Sequence, residues 1–256
     1  SDYGDEIDRV LIKNDGNYTY LLPDIAYHVN KIDRGFDELI DVLGSDHHGY
    51  INRIKAALEI LGNNKDILNI KILQMVRLIK DGEELKLSKR TGKTVTLIDL
   101  IEEVGVNATR YFFASKSIDT QMDFDLDLAL KESNDNPVYY IEYANARIAS
   151  ILRNYHKKVD KMEEYRTLGN DITYTILNKL YEFEDIVISA GEKKLPHLIA
   201  NYVYELAALF HNYYAKEKII TDDEQSTKEK IMLITAIKIV INNALDLIGI
   251  IPREEM

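Results

Sequence analysis

The stretch LKLSKRTGKT, residues 85–94, sets Lys86, Lys89, Arg90 and Lys93 within eight residues, beside Gly92 and with no acid among them. The chain as a whole carries a formal net charge of −11, so this is a local basic site on an acidic body. Fixed cations on a glycine-bearing loop suit phosphate chemistry, because they stabilise negative charge that develops on phosphate oxygens. Charge alone also describes a loop that keeps its lysines in water. A P-loop needs a glycine five positions before Gly92; Leu87 stands there, and that reading fails.

A second cluster is Asp46, His47 and His48 in GSDHHGY, residues 44–50. A zinc site would use such residues, but neighbours on one strand end point in different directions and no further His or Cys lies nearby. No protein-bound metal is expected. With no cysteine in the chain, disulfides and thiolate metal sites are excluded.

Mixed α/β patterns must position these groups. RVLIKNDGNYTYLL, 9–22, reads as a hairpin across Asp15-Gly16. LIDVLG, 39–44, reads as a buried strand ending at Gly44, and YINRIKAALEILG, 50–62, as a helix closed by Gly62. KILQMVRLI, 71–79, is the next expected strand, followed by a turn at Asp81-Gly82. Thr96 and Asp99 form a candidate capping box for a helix that Gly105 ends. Beyond about residue 106 strand signals stop, and helices are expected over 107–117, 127–154, 171–190, 196–218 and 226–248. The fold class expected is therefore α/β followed by all-α, with a division at 129/130. At 46% hydrophobic residues the chain can bury a sizeable core, and no apolar run is long enough to span a bilayer. A soluble, cytoplasmic protein without membrane association is expected. Net acidity argues against non-specific nucleic-acid binding.

KLSKR resembles the Lys-Met-Ser-Lys signature of class I aminoacyl-tRNA synthetases, with Leu87 in place of methionine, a swap that nearly conserves volume. GNYTYLLPDIAYH (16–28), GSDHHGYINRIKAAL (44–58), QMVRLIKDGEELKLSKRTGKTVTLIDLIEEVG (74–105) and SNDNPVYYIEYANARI (133–148) follow in an order similar to the C-terminal part of arginyl-tRNA synthetases. The ending LDLIGIIPREEM is similar to that family's closing sequence, so the resemblance covers essentially the whole chain. The other class I signature, His-x-Gly-His, is absent, and HHGY is not that motif displaced.

The resemblance implies the second half of a Rossmann-like catalytic domain over 1–129, then a helical anticodon-binding bundle over 130–256. It implies an arginine–tRNA ligase: L-arginine and ATP, accompanied by Mg²⁺, give arginyl-adenylate, and arginine then passes to tRNA(Arg). By the resemblance Lys89 is the main catalytic cation, Lys86 its support, and Ser88 and Gly92 let the loop close. Arg90 adds a phosphate contact, while Lys93 stays solvated. Gly44, Asp46, His47, His48, Met75 and Val76 would line the ATP site. Tyr20 and Asp24, four apart, would form the arginine pocket with Tyr27; His28 and His47 are weaker candidates there. Spacing alone reads Tyr20 and Asp24 as a strand tyrosine and a helix N-cap. In the bundle, His211, Tyr213, Tyr214, Lys216 and Lys218 mix the aromatic and basic groups that unstacked bases and their phosphates need. Tyr139, Tyr140 and Tyr143 read more readily as core.

With Ser1 first and His-x-Gly-His absent, a piece of a longer chain is expected, inactive alone and prone to self-association, from a monomeric parent. The alternative is a stand-alone tRNA-binding helical module without catalysis.

Overall fold

The computed structural model describes residues 2–85, 95–157, 159 and 164–256. The signature residues Lys86, Ser88, Lys89 and Arg90 thus lie outside the described residues. Contacts divide the chain into two compact units, residues 1–76 with 118–122, and residues 77–117 with 123–256.

In the first unit the expected hairpin shrinks to one antiparallel bridge, Ile12 with Tyr18, around Gly16 at φ +83°. Its second run instead opens helix α1 (Leu21–Asp33). Leu21, Ile25 and His28 recur at helical spacing and are buried on one face, and that burial outweighs the local strand propensity. Strands β1 (Leu39–Gly44) and β2 (Leu68–Leu73) pair in parallel with Gly44 opposite Leu73. Helix α2 (Tyr50–Ile60) is the crossover that a parallel pair requires. Leu21, Ile25, Leu39, Ile54, Leu58 and Leu68 make the core, each burial contributing roughly 1.5–3 kcal/mol. KILQMVRLI is two strands rather than one: β2 stops at Leu73 and β3 (Val76–Lys80) starts after Gln74-Met75. There Gln74 N–H donates to the Ile118 carbonyl, and Met75 C=O accepts from Met122 N–H.

In the second unit β3 turns back into β4 (Glu83–Glu84) through Asp81-Gly82. Both turn residues have positive φ, +53° and +76°, which suits a primed two-residue turn. Strand β5 (Met122–Asp125) lies on the other side of β3; it is a strand beyond residue 106, where none is expected from the sequence. Helix α3 (Leu97–Val104) carries the capping box, with Thr96 and Asp99 bonding reciprocally, and Gly105 separates it from α4 (Val106–Ala114). The expected helix 127–154 is split into α5 (Leu126–Leu130) and α6 (Pro137–Tyr155). Asn136 makes the break: it accepts from Val138 N–H and donates to the Ala129 and Lys131 carbonyls. The expected helix 171–190 is likewise α7 (Asp171–Tyr181) and α8 (Phe183–Lys193). Helices α9 (His197–Lys216) and α10 (Glu224–Leu247) follow. Helix α9 is central, packing on α6, α7, α8 and α10 and burying Tyr202, Leu206, Phe210 and Tyr213 almost completely. The sequence division at 129/130 follows the change from strand to helix. The contact units part at 76/77, since α4 packs against α5, α6 and α9.

Candidate functional sites

In a parallel α/β sheet, ligands bind outside the carboxyl ends of the strands. Because Gly44 and Leu73 are partners, the carboxyl ends of β1 and β2 fall together. Gly44, the turn Ser45–His47, His48 and Met75 therefore share one sheet edge. A Cβ at Gly44 would lie 2.9 Å from Asp46 Oδ1, so glycine leaves the Asp46 carboxylate room. The Asp46 side chain is 84% exposed and stands 3.7 Å from His47 Nε2. His47 meets Tyr50 edge-on at 5.8 Å, and the Arg53 guanidinium covers that ring at 4.7 Å. Met75 is exposed and Val76 half-buried at the start of β3.

Helix α1 brings further groups to the same edge. His28 Nε2 and Lys31 Nζ both bond the Asp41 carboxylate of β1, at 2.7 and 2.9 Å, and a short loop returns the chain into β1, so the two elements run antiparallel. Asp24 lies one turn from His28, about 5 Å along the helix. Gly44 lies three residues from Asp41, about 10 Å along the strand in the same direction. The first turn of α1, with exposed Tyr20 and Asp24, thus stands at the carboxyl end of β1. Tyr20 is the N-cap residue, with no side-chain capping bond. Asp24 sits inside the first turn, so the N-cap role that spacing allowed it does not apply. One face of Tyr27 is taken by Lys31 Nζ, 4.7 Å from the ring centre. His28 is buried with both ring nitrogens engaged, which removes it as a direct ligand.

The bundle gathers an aromatic face between α6 and α9. Tyr140 and His211 have ring centres 4.3 Å apart, Tyr143 stacks on His211 at 5.7 Å, and Tyr139 stacks on Tyr143 at 6.1 Å. The Arg147 guanidinium lies 5.0 Å from the ring centres of both Tyr143 and Tyr214. It donates to the Tyr143 hydroxyl and, at 3.2 Å, to that of Tyr214. His211 Nε2–H donates to the Tyr140 carbonyl at 3.0 Å. Burial depresses the His211 pKa, the Tyr140 carbonyl opposes that, and the Arg147 charge adds to it. A cavity of about 480 Å³ beside Tyr214 is lined by Ile151, Lys216, Lys218 and Ile220.

Of the five bundle residues singled out from sequence, the structure joins His211 and Tyr214 in this face and leaves Lys216 and Lys218 exposed beside it. Tyr213 is corrected: it is fully buried, because α9 turns it 100° from its neighbour into the core, and it offers no face to a base. Sequence reasoning missed Arg147 and set Tyr140 and Tyr143 aside as core; all three are half-buried. The available signal was Tyr143 and Arg147 at i, i+4 on α6. Among the described residues no group of three or more His, Asp or Glu is arranged to hold a metal ion, and no helix is long and apolar enough to cross a membrane.

The family model for the catalytic domain of class I tRNA synthetases of the arginine type matches residues 1–133. The model for the DALR anticodon-binding domain matches residues 141–256. The chain belongs to the arginyl-tRNA synthetase family. The arginine–tRNA ligase of Bacillus licheniformis is 52% identical across 99% of this chain and 46% of its own length. That of Staphylococcus epidermidis is 50% identical across the whole chain and 47% of its length. The chain thus spans about half the length of the curated relatives it matches. A Campylobacter jejuni crystal structure described as an arginyl-tRNA synthetase superposes with a TM-score of 0.90 at 38% identity, covering all of this chain and 56% of the other. The Thermus thermophilus arginyl-tRNA synthetase shares the fold, with a TM-score of 0.79 at 20% identity over 97% of this chain and 51% of that one.

Proposed function

We propose that this chain supplies the second half of the active site and the anticodon-binding bundle of an arginine–tRNA ligase. The observation that carries this reading is the shared edge where the carboxyl ends of β1 and β2 meet the first turn of α1. Gly44 and the His47–His48 turn form the adenosine side, with Asp46 accepting from ribose hydroxyls and Met75 and Val76 flanking adenine. Asp24 takes the guanidinium of arginine by charge-assisted hydrogen bonds, and Tyr20 offers a flat neighbour. ATP arrives as substrate with Mg²⁺. Lys89 and Lys86 stabilise the phosphate charge that grows as the arginine carboxylate attacks the α-phosphate and pyrophosphate leaves; positioning and electrostatics supply the catalysis. Arg147, Tyr143, His211 and Tyr214, flanked by Lys216 and Lys218, receive unstacked bases and phosphates of tRNA(Arg).

The test is arginine-dependent ATP–pyrophosphate exchange in the full-length protein. Lys89→Ala should slow adenylate formation by about 2–4 kcal/mol in barrier height, and Asp24→Asn should raise the arginine KM far more than the ATP KM. Exchange that is indifferent to both changes overturns the reading. The rival reading, a tRNA-binding module without catalysis, predicts tRNA binding with no exchange activity at all.

A further inference from the structure

Helix α1 starts weakly for an element that carries a substrate ligand. Its N-cap residue Tyr20 makes no side-chain capping bond, and Tyr20, Pro23 and Asp24 are exposed. Leu21 and Ile25 pack into the core, but apolar contacts are non-directional and tolerate small rotations. A slip of one residue turns a helix by 100°, enough to aim Asp24 away from the sheet edge.

His28 supplies the direction that apolar packing lacks. It is 6% exposed. Nδ1 lies 2.7 Å from the carbonyl oxygen of Asp24 itself, and Nε2 lies 2.7 Å from Asp41 Oδ2 on β1. Lys31 Nζ holds the other oxygen, Asp41 Oδ1, at 2.9 Å. Burial pushes the Asp41 carboxyl up, but the hydrogen bonds from Lys31 and His28 outweigh it and hold the pKa below the usual carboxylate range. Both partners of the ring are therefore acceptors.

We propose that His28 is the positioning residue of the arginine pocket: it clamps the main chain of Asp24 to Asp41 and so fixes the rotation and height of the α1 turn that aims the Asp24 carboxylate. The proposal rests on the reading of Asp24 as the guanidinium ligand. A truncated or one-handed side chain at position 28 leaves α1 folded but its first turn free to rotate, and a charge-assisted hydrogen bond from the guanidinium to Asp24 weakens steeply with such misalignment.

The test compares His28→Gln, Asp41→Asn and Asp24→Asn in the full-length protein by arginine-dependent pyrophosphate exchange, alongside thermal unfolding. His28→Gln and Asp41→Asn should each raise the arginine KM about tenfold or more, the scale of weakening one hydrogen bond to a charged group, leaving the ATP KM and the rate at saturating arginine close to the parent's. Arginine KM unchanged in both variants, while Asp24→Asn raises it, overturns the positioning role and leaves the pocket standing. An arginine KM indifferent to Asp24→Asn overturns the pocket reading instead, and the proposal falls with it. A drop in melting temperature with no change in arginine KM reduces the network to a structural one and also overturns the proposal. Amide exchange gives an arm independent of catalysis: in the chain described here, Asp41→Asn should speed exchange across residues 22–28 and leave α2 unaltered. Unchanged exchange in α1 speaks against the clamp whatever the kinetics show.

Discussion

The Arg147 guanidinium lies 5.0 Å from the centre of the Tyr214 ring and donates to its hydroxyl at 3.2 Å, joining α6 to α9. Among the described residues Arg147 makes no ion pair, so a half-buried cation on an acidic protein is held by aromatic rings and hydroxyls alone. Such a cation keeps its charge available for an anion, and the ring faces beside it suit stacked bases. Arg147→Ala should weaken binding of tRNA(Arg) by about 1–3 kcal/mol and flatten the salt dependence of binding. Arg147→Lys should restore the salt slope and only part of the affinity, because lysine keeps the charge and loses the planar stack. Titrations at two salt concentrations, with tRNA(Arg) and a tRNA of unrelated anticodon, check this. An alanine variant that binds like the parent places the interface elsewhere.

Tyr213 and Tyr214 are adjacent in sequence and differently placed, the first buried and the second half-buried. Tyr213 is fully buried, burial pushes its hydroxyl pKa up to about 12, and the hydroxyl has no hydrogen-bond partner among the described residues. Removing an unsatisfied hydroxyl is near neutral or stabilising, so Tyr213→Phe should hold or raise the urea midpoint and leave tRNA affinity unchanged. Tyr213→Ala should cost about 3–5 kcal/mol of stability, as for other large-to-small aromatic changes. Tyr214→Ala should act the other way round, with lower tRNA affinity and a small stability change. A Tyr213→Phe variant with impaired tRNA binding would restore Tyr213 to the interface.

The contrast shows what the sequence could carry. Local signals with one physical meaning were legible: the Thr96–Asp99 capping box, the Asp81-Gly82 turn and the Gly44 strand end all stand where their residue types put them. Signals that depend on tertiary context were not. YTYLL has strand propensity, yet Leu21 and Ile25 are helical because their face closes on Leu39 and Leu58. KILQMVRLI is one apolar run, yet its middle bonds Ile118 and Met122 rather than continuing a ladder. The split of the helix expected over 127–154 needed Asn136 to find the Ala129 and Lys131 carbonyls, which no local pattern announces. For the bundle face, composition pointed to 209–220, but which neighbours face outward is decided by the rotation of α9, and half of the face comes from α6.

The bundle should also answer to acid through Glu229. This carboxylate is fully buried in α10. It accepts from the Arg166 N–H at 2.8 Å, the Thr167 N–H and hydroxyl at 2.6 Å each, and Gln225 Nε2 at 2.9 Å, fastening the segment before α7 to α10. Burial pushes its pKa up, but the hydrogen bonds from Thr167, Arg166 and Gln225 outweigh burial and hold it at about 2, against 4.5 for an unperturbed glutamate. A carboxylate depressed on folding stabilises the native state above its unfolded pKa, and that contribution is lost as pH falls through the folded value. The window here is therefore from about 4.5 down to about 2, with up to about 3 kcal/mol at stake at 1.36 kcal/mol per unit. Glu229→Gln turns an amide N–H₂ toward donors and abolishes the titration. The parent should exceed Glu229→Gln in unfolding free energy near neutral pH, and the gap should narrow steadily below about pH 4. Asp5, also held at about 2, chiefly by its hydrogen bond from Arg9, titrates in both proteins and cancels in the difference. Urea unfolding of the two at a series of pH values reads this directly. A gap that stays constant down to the acid end of the series would mean that Glu229 acts through shape and hydrogen-bond count alone, and that its charge contributes nothing to holding α10 to the segment before α7.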